Sequence, residues 1–129
     1  MERIQIEEKI NSLTVDENWK AKFKVIADSE PISFGLIPKF QNNNVWTKAP
    51  ITTKMNFWAL FGLFYYIAKG MWKKGVVLSV LGMLFVIVVT VLFGEKIGNA
   101  ASFAMPALFI SLANLDFYRK MVLDEDFWF

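Results

Sequence analysis

Hydrophobic positions are unevenly spread along this chain, and the longest unbroken apolar stretch organises the rest. From Gly75 to Phe93 the sequence reads GVVLSVLGMLFVIVVTVLF, nineteen residues with no charge and no proline. At about 1.5 Å of rise per residue such a helix reaches roughly 28 Å, close to the hydrocarbon thickness of a bilayer. Only Ser79 and Thr90 carry polar side chains there, and both can return a hydrogen bond to the helix backbone. The run is apolar on every side, so it offers no face to water. A second apolar run, Ala100 to Ala113, follows after the polar turn Gly94–Asn99. It is rich in small residues, which let helices approach closely in lipid. Gly75, Ser79 and Gly82 on the first run supply a facing surface for it. Pro106 in the middle of the second run predicts a kink. The pattern therefore predicts a transmembrane helical hairpin over 75–114.

Before the hairpin the pattern changes twice. Ile4, Ile6, Ile10 and Leu13 give a partial apolar face to a first helix over 2–12. A second helix is capped by Thr14 or Asp16, with Glu17 in its first turn and Trp19, Phe23 and Ile26 along one face. It ends near Asp28, because Pro31 restricts the residue before it. Residues 29–53 are punctuated by Pro31, Gly35, Pro38, Asn42–Asn44 and Pro50, and read as loop and linker. From Asn56 to Ala68 comes NFWALFGLFYYIA, followed by Lys69, Met71, Trp72, Lys73 and Lys74. Thirteen residues between polar groups are too short for a comfortable span. Trp and Tyr favour the headgroup level, where lysines can snorkel. This segment is thus expected to be an interfacial or shallow re-entrant helix. A full span, giving three crossings, is the alternative. The tail, DFYRKMVLDEDFWF, is amphipathic, and its last three aromatics are expected to dip into lipid or pack on the N-terminal helices. A docking motif for another protein is the sharper reading of that tail.

The expected architecture is an all-α integral membrane protein with four parts. These are N-terminal cytoplasmic helices and linker (1–53), an aromatic–basic interfacial helix (54–74), the hairpin (75–114) and a C-terminal amphipathic tail (115–129). Composition agrees with this: 55% of residues are hydrophobic and 20% charged, an apolar balance unusual for a soluble domain of this size. The net charge of +2 is too small to point to nucleic acid. There is no cysteine and no histidine, which removes disulfides, thiolate chemistry and imidazole catalysis. The charged, amphipathic start is not expected to act as a signal peptide. Lys54, Lys69, Lys73 and Lys74 precede the first span and Arg119 and Lys120 follow the second, so both termini are expected in the cytoplasm.

No catalytic constellation is visible, and no cofactor or metal site is expected. The carboxylates at 124–126 lack a defined loop for a cation. The function expected is a non-enzymatic interaction or assembly module in a bacterial inner membrane, contacting the lipid bilayer and either a protein partner or further copies of itself. The candidate lipid- or partner-binding residues are Trp58, Phe61, Tyr65, Tyr66, Lys69, Trp72, Lys73 and Lys74. A continuous helix through this segment would gather Lys69, Lys73 and Lys74 within the width of one turn. The alternative is a subunit of an oligomeric channel or transporter. An enzyme acting on a membrane-embedded substrate would have to use Asp116, Arg119 or Tyr65.

Asn56, Phe57, Ala59, Phe61, Gly62, Tyr65, Tyr66 and the run Lys69–Lys74 together resemble the central segment of the DUF2628 family of small bacterial membrane proteins of unknown function. Trp19–Phe23 is similar to an upstream element of that family. Asn114 with Tyr118–Lys120 is similar to its terminal element. The resemblance spans most of the chain apart from residues 30–52. It implies a topology of apolar helices behind an aromatic–basic segment, and no established activity. One departure is Leu63, where members often carry proline, leaving Gly62 as the only hinge.

Overall fold

The computed structural model describes residues 3–34 and 37–129. They form two units, the first of the described residues up to Met55 with Asn114–Asp126, the second of Asn56–Ala113 with Phe127–Phe129. In the first, α1 (Arg3–Ser12) and α2 (Glu17–Asp28) pack together. α1 buries only Ile10, while α2 buries Phe23, Ile26 and Ala27, the apolar face that its spacing predicts. Asp16 occupies the cap position of α2, but its side chain makes no capping hydrogen bond.

The all-α expectation needs correction in the stretch read as linker. Pro31–Ser33 (β1) pairs antiparallel with Lys39–Phe40 (β2), and two short helices follow, α3 (Asn43–Lys48) and α4 (Ile51–Lys54). Strands of three and two residues are too short to show an alternating pattern. The hairpin is instead tied to the end of α2: the Gln41 N–H donates to the Glu30 carbonyl at 2.9 Å and the Asn42 N–H to the Ser29 carbonyl at 3.1 Å.

The second unit holds the apolar helices. α6 (Trp72–Phe93) begins one turn earlier than the apolar run alone indicates. Ser79 and Thr90 donate to the carbonyls four residues back, at 2.8 and 2.7 Å, as expected of hydroxyls in an apolar helix. The expected turn over 94–99 is shorter than read. The chain reverses at Gly94 alone (φ 93°), and α7 (Glu95–Ala101) starts at the next residue. α7 packs along α6. At Gly98 an added Cβ would overlap the Thr90 hydroxyl, so only a residue without a side chain permits this approach. A bend at Ser102–Phe103 leads into α8 (Ala104–Met121). Pro106 therefore does not kink a continuous helix. It is the third residue of α8, in the first turn, where the N–H has no intrahelical partner to lose.

α8 also runs beyond the apolar segment, and the tail is helical to Met121. Its last turns belong to the first unit, where Leu115, Phe117 and Tyr118 are buried. Phe117 meets Trp19 edge-on at 4.7 Å and Tyr118 meets Phe23 at 6.1 Å. The buried Asn114 amide donates to the Thr52 and Thr53 carbonyls at 3.0 and 2.9 Å. These contacts place 114–121 in a core, where the sequence pattern alone suggests an interfacial tail.

Because the Gly98–Thr90 approach admits no Cβ, Gly98→Ala is expected to cost about 1–3 kcal/mol. Ala107→Leu, at an exposed position, is expected to be close to neutral. Thermal unfolding of both variants in the same detergent checks the pair, and equal midpoints would remove the close-approach argument.

Candidate functional site

The aromatic–basic segment is not one helix. Asn56 is followed by a 3-10 helix, Phe57–Phe61, then by α5 (Leu63–Ala68), and α6 begins at Trp72. Gly62, with φ 59°, makes the first break without a proline, and Gly70, with φ 76°, lies at the second. Two breaks in nineteen residues overturn the expectation of a continuous helix that gathers the three lysines. Lys69 closes α5, whereas Lys73 and Lys74 sit in the first turn of α6.

Asn56 anchors the segment. Its side-chain carbonyl accepts from the Trp58 N–H at 3.0 Å, and its amide donates to the Tyr65 hydroxyl at 2.6 Å. Its backbone N–H donates to the Ile110 carbonyl at 2.9 Å, fixing the start of the segment to α8. Burial raises the Tyr65 hydroxyl above its usual pKa, and the Asn56 hydrogen bond works against that rise.

Inward, Ala59 and Tyr66 are fully buried, with the Tyr66 ring edge-on to Phe109 at 5.2 Å. Outward, Phe57, Trp58, Leu60, Phe61, Phe64 and Ile67 are each between 52 and 77% exposed. Six large apolar side chains are thus exposed within eleven residues, a concentration of apolar surface of the kind that marks an interaction or membrane-contact site. The spacing of a regular helix could not reveal it, since the patch is built from a 3-10 turn and a short α-helix of different period.

The predicted site residues therefore divide. Trp58, Phe61 and Trp72 are exposed, Tyr65, Lys69 and Lys73 partly so, and Tyr66 and Lys74 are buried. Tyr66 and Lys74 are thus corrected from surface contacts to interior supports. The reason for Lys74 is the C-terminal FWF, which sequence reasoning assigned to lipid or the N-terminal helices. Phe127 and Phe129 place their ring centroids 5.8 and 6.0 Å from the Lys74 ammonium, and Trp128 lies 5.5 Å from that of Lys73. Trp72 meets Trp128 edge-on at 5.5 Å. Ring faces at these distances attract a cation and help to offset its removal from water. Lys69 is held similarly, 5.7 Å from the Tyr65 ring.

Of the residues proposed for an enzyme, Asp116 is buried in the first unit, and Arg119 lies over the Phe34 ring while bonding Glu125 at 2.8 Å. Asp124 pairs with Lys9 at 2.9 Å, so Asp124, like Glu125, already faces a cation. Among the described residues no group of three or more His, Cys, Asp or Glu is placed to hold a metal ion.

Two helical stretches, Trp72–Phe93 and Glu95–Met121, are long and apolar enough to cross a membrane. The family model for DUF2628, described as a protein of unknown function, matches residues 10–122. No curated protein and no solved structure matches the chain.

Removing the Asn56 side chain leaves the Trp58 N–H and the Tyr65 hydroxyl to find other partners. Asn56→Ala is expected to lower stability by about 1–3 kcal/mol, and Tyr65→Phe by less. Denaturant titration in detergent compares the two, and the reverse order would contradict the anchoring role.

Proposed function

The chain belongs to the DUF2628 family, and from that premise we propose that it is a small non-enzymatic inner-membrane protein that assembles with a protein partner or with its own copies at the cytoplasmic face. The observation that carries this reading is the exposed apolar patch Phe57–Ile67 beside Lys69 and Lys73, adjoining α6 in sequence. Along α6, Val80, Met83, Leu84, Phe85, Ile87, Val88 and Val91–Phe93 are between 50 and 78% exposed, an apolar surface that water disfavours and hydrocarbon accepts. The patch itself carries the rings that favour the headgroup level, with basic groups next to them. Trp58, Phe61, Trp72, Lys69 and Lys73 are its proposed contacting residues, with Tyr65 at the margin.

The channel alternative is less well supported. From Gly75 to Phe93 the polar side chains are Ser79 and Thr90, and both bond the backbone of α6 itself. They supply no polar stripe to a pore.

Orientation follows from the charges flanking the spans. Lys54, Lys69, Lys73 and Lys74 precede α6, and Arg119 and Lys120 close α8, whereas Glu95 offsets Lys96 at the reversal. Such a bias keeps both ends in the cytoplasm. The chain has no native cysteine, so Glu8→Cys and Asp126→Cys report cleanly. Neither is expected to react with a membrane-impermeant maleimide applied to intact cells, and labelling of either from outside would reverse this orientation.

Assembly is tested separately. Purified in mild detergent, the chain is expected to run larger than a monomer, alone or with a stoichiometric partner. The Trp58→Glu and Phe61→Glu double variant is expected to release the monomer without altering maleimide accessibility. Repeated recovery of the unaltered chain as a lone monomer would sink the assembly reading.

A further inference from the structure

Within the second unit an open groove of about 360 Å³ runs between the aromatic segment and the apolar helices. Phe61 and Phe64 of the aromatic segment, Met105, Pro106 and Phe109 of α8 and Ser79 of α6 are among the residues that line it. The volume lies in the range of small-molecule sites, roughly 300–1,000 Å³. The one polar side chain among these six is turned away, because the Ser79 hydroxyl donates to the Gly75 carbonyl at 2.8 Å. An occupant therefore has to be apolar where it touches the groove.

Two placements identify that occupant. Ser79 lies seven residues into α6, about 10 Å along the axis from Trp72. On the membrane reading above, on which this inference rests, that depth is inside the hydrocarbon, and the medium meeting the groove is lipid chain. Lys69, which caps the C-terminal end of α5, follows the lining residue Phe64 by five residues, about 7.5 Å along the helix axis. An ammonium at that distance from an apolar groove matches the separation between a phospholipid's phosphate and its upper methylenes. We propose that the groove seats one acyl chain of an anionic phospholipid whose headgroup meets Lys69.

The test uses the full chain reconstituted in phosphatidylcholine vesicles that contain a phosphatidylglycerol with a photoactivatable diazirine midway along one acyl chain. Adducts are mapped by mass spectrometry after illumination. Adducts on Phe61–Phe64 and Met105–Phe109 are expected to exceed those on Val91–Phe93 by about fivefold, a modest preference of roughly 1 kcal/mol. The same diazirine on phosphatidylcholine is expected to label the groove less, and Lys69→Gln to remove that difference between lipids. Ser79→Phe, which fills the groove, is expected to reduce its adducts to the level at Val91–Phe93. Should that variant fail to fold, the adduct map and headgroup comparison of the unaltered chain still decide the matter. Even labelling along α6 with no enrichment at the groove would overturn the seat while leaving the membrane reading intact. Equal groove labelling from both lipids would overturn the anionic assignment. Absence of acyl adducts anywhere would overturn both the seat and the membrane reading beneath it.

Discussion

The approach of Gly98 to Thr90 is the contact on which the apolar part of this protein depends. It lets α7 lie against α6 with only the small Thr90 side chain between them. In lipid there is no hydrophobic gain from bringing two apolar helices together, so close packing of this kind has to supply the attraction. A second approach repeats the device nearer the start of α6, where an added Cβ on Gly82 would lie 2.8 Å from Met105. Between these two points the chain leaves α7, bends at Ser102–Phe103 and enters α8 with Pro106 in its opening turn. The proline thus marks where a helix starts, and the backbone bonds that a mid-helix proline would break are never at stake.

The aromatic–basic segment uses its residues in two directions. Asn56, Ala59 and Tyr66 are spent inward, fastening the 3-10 turn and α5 to α8 through the Ile110 carbonyl and the Phe109 ring. The remaining rings face out because a short helix broken on both sides cannot bury more than one stripe. The lysines differ in the same way. Lys69 and Lys73 keep partial access to solvent, whereas Lys74 is enclosed beneath Phe127 and Phe129. A long aliphatic stem with a charge at its tip suits either setting, provided aromatic or polar groups meet the tip.

How much of this was legible in the sequence follows from the length of each pattern. The helix Trp72–Phe93, the buried face of α2 and the backbone-bonded hydroxyls of Ser79 and Thr90 all express a period repeated over several turns. The β1–β2 pair does not, since five residues of strand carry no usable alternation. The break at Gly62 was visible only as a weak hinge, because a single glycine inside a helical pattern costs only about 1 kcal/mol and need not end it. Two further features are contacts between residues far apart in the chain. Phe127–Phe129 meeting Trp72–Lys74, and Asn114 meeting Thr52 and Thr53, join segments more than fifty residues apart. Local patterning shows that such residues are apolar or amide-bearing, and only the fold shows what they touch. The same holds for the candidate site, whose residue types were evident while the division between exposed and buried members was not.

Gly94 has a consequence that concerns handedness. Its dihedrals, φ 93° and ψ 169°, lie where an L-residue is strained. Inverting a residue's chirality inverts the sign of both angles it prefers, which brings this pair into the broad extended basin. The reversal between α6 and α7 is therefore a mirror-image site in an otherwise L-handed chain. A D-alanine introduced there by chemical ligation would adopt the native backbone without strain and would narrow the conformations open to the unfolded chain.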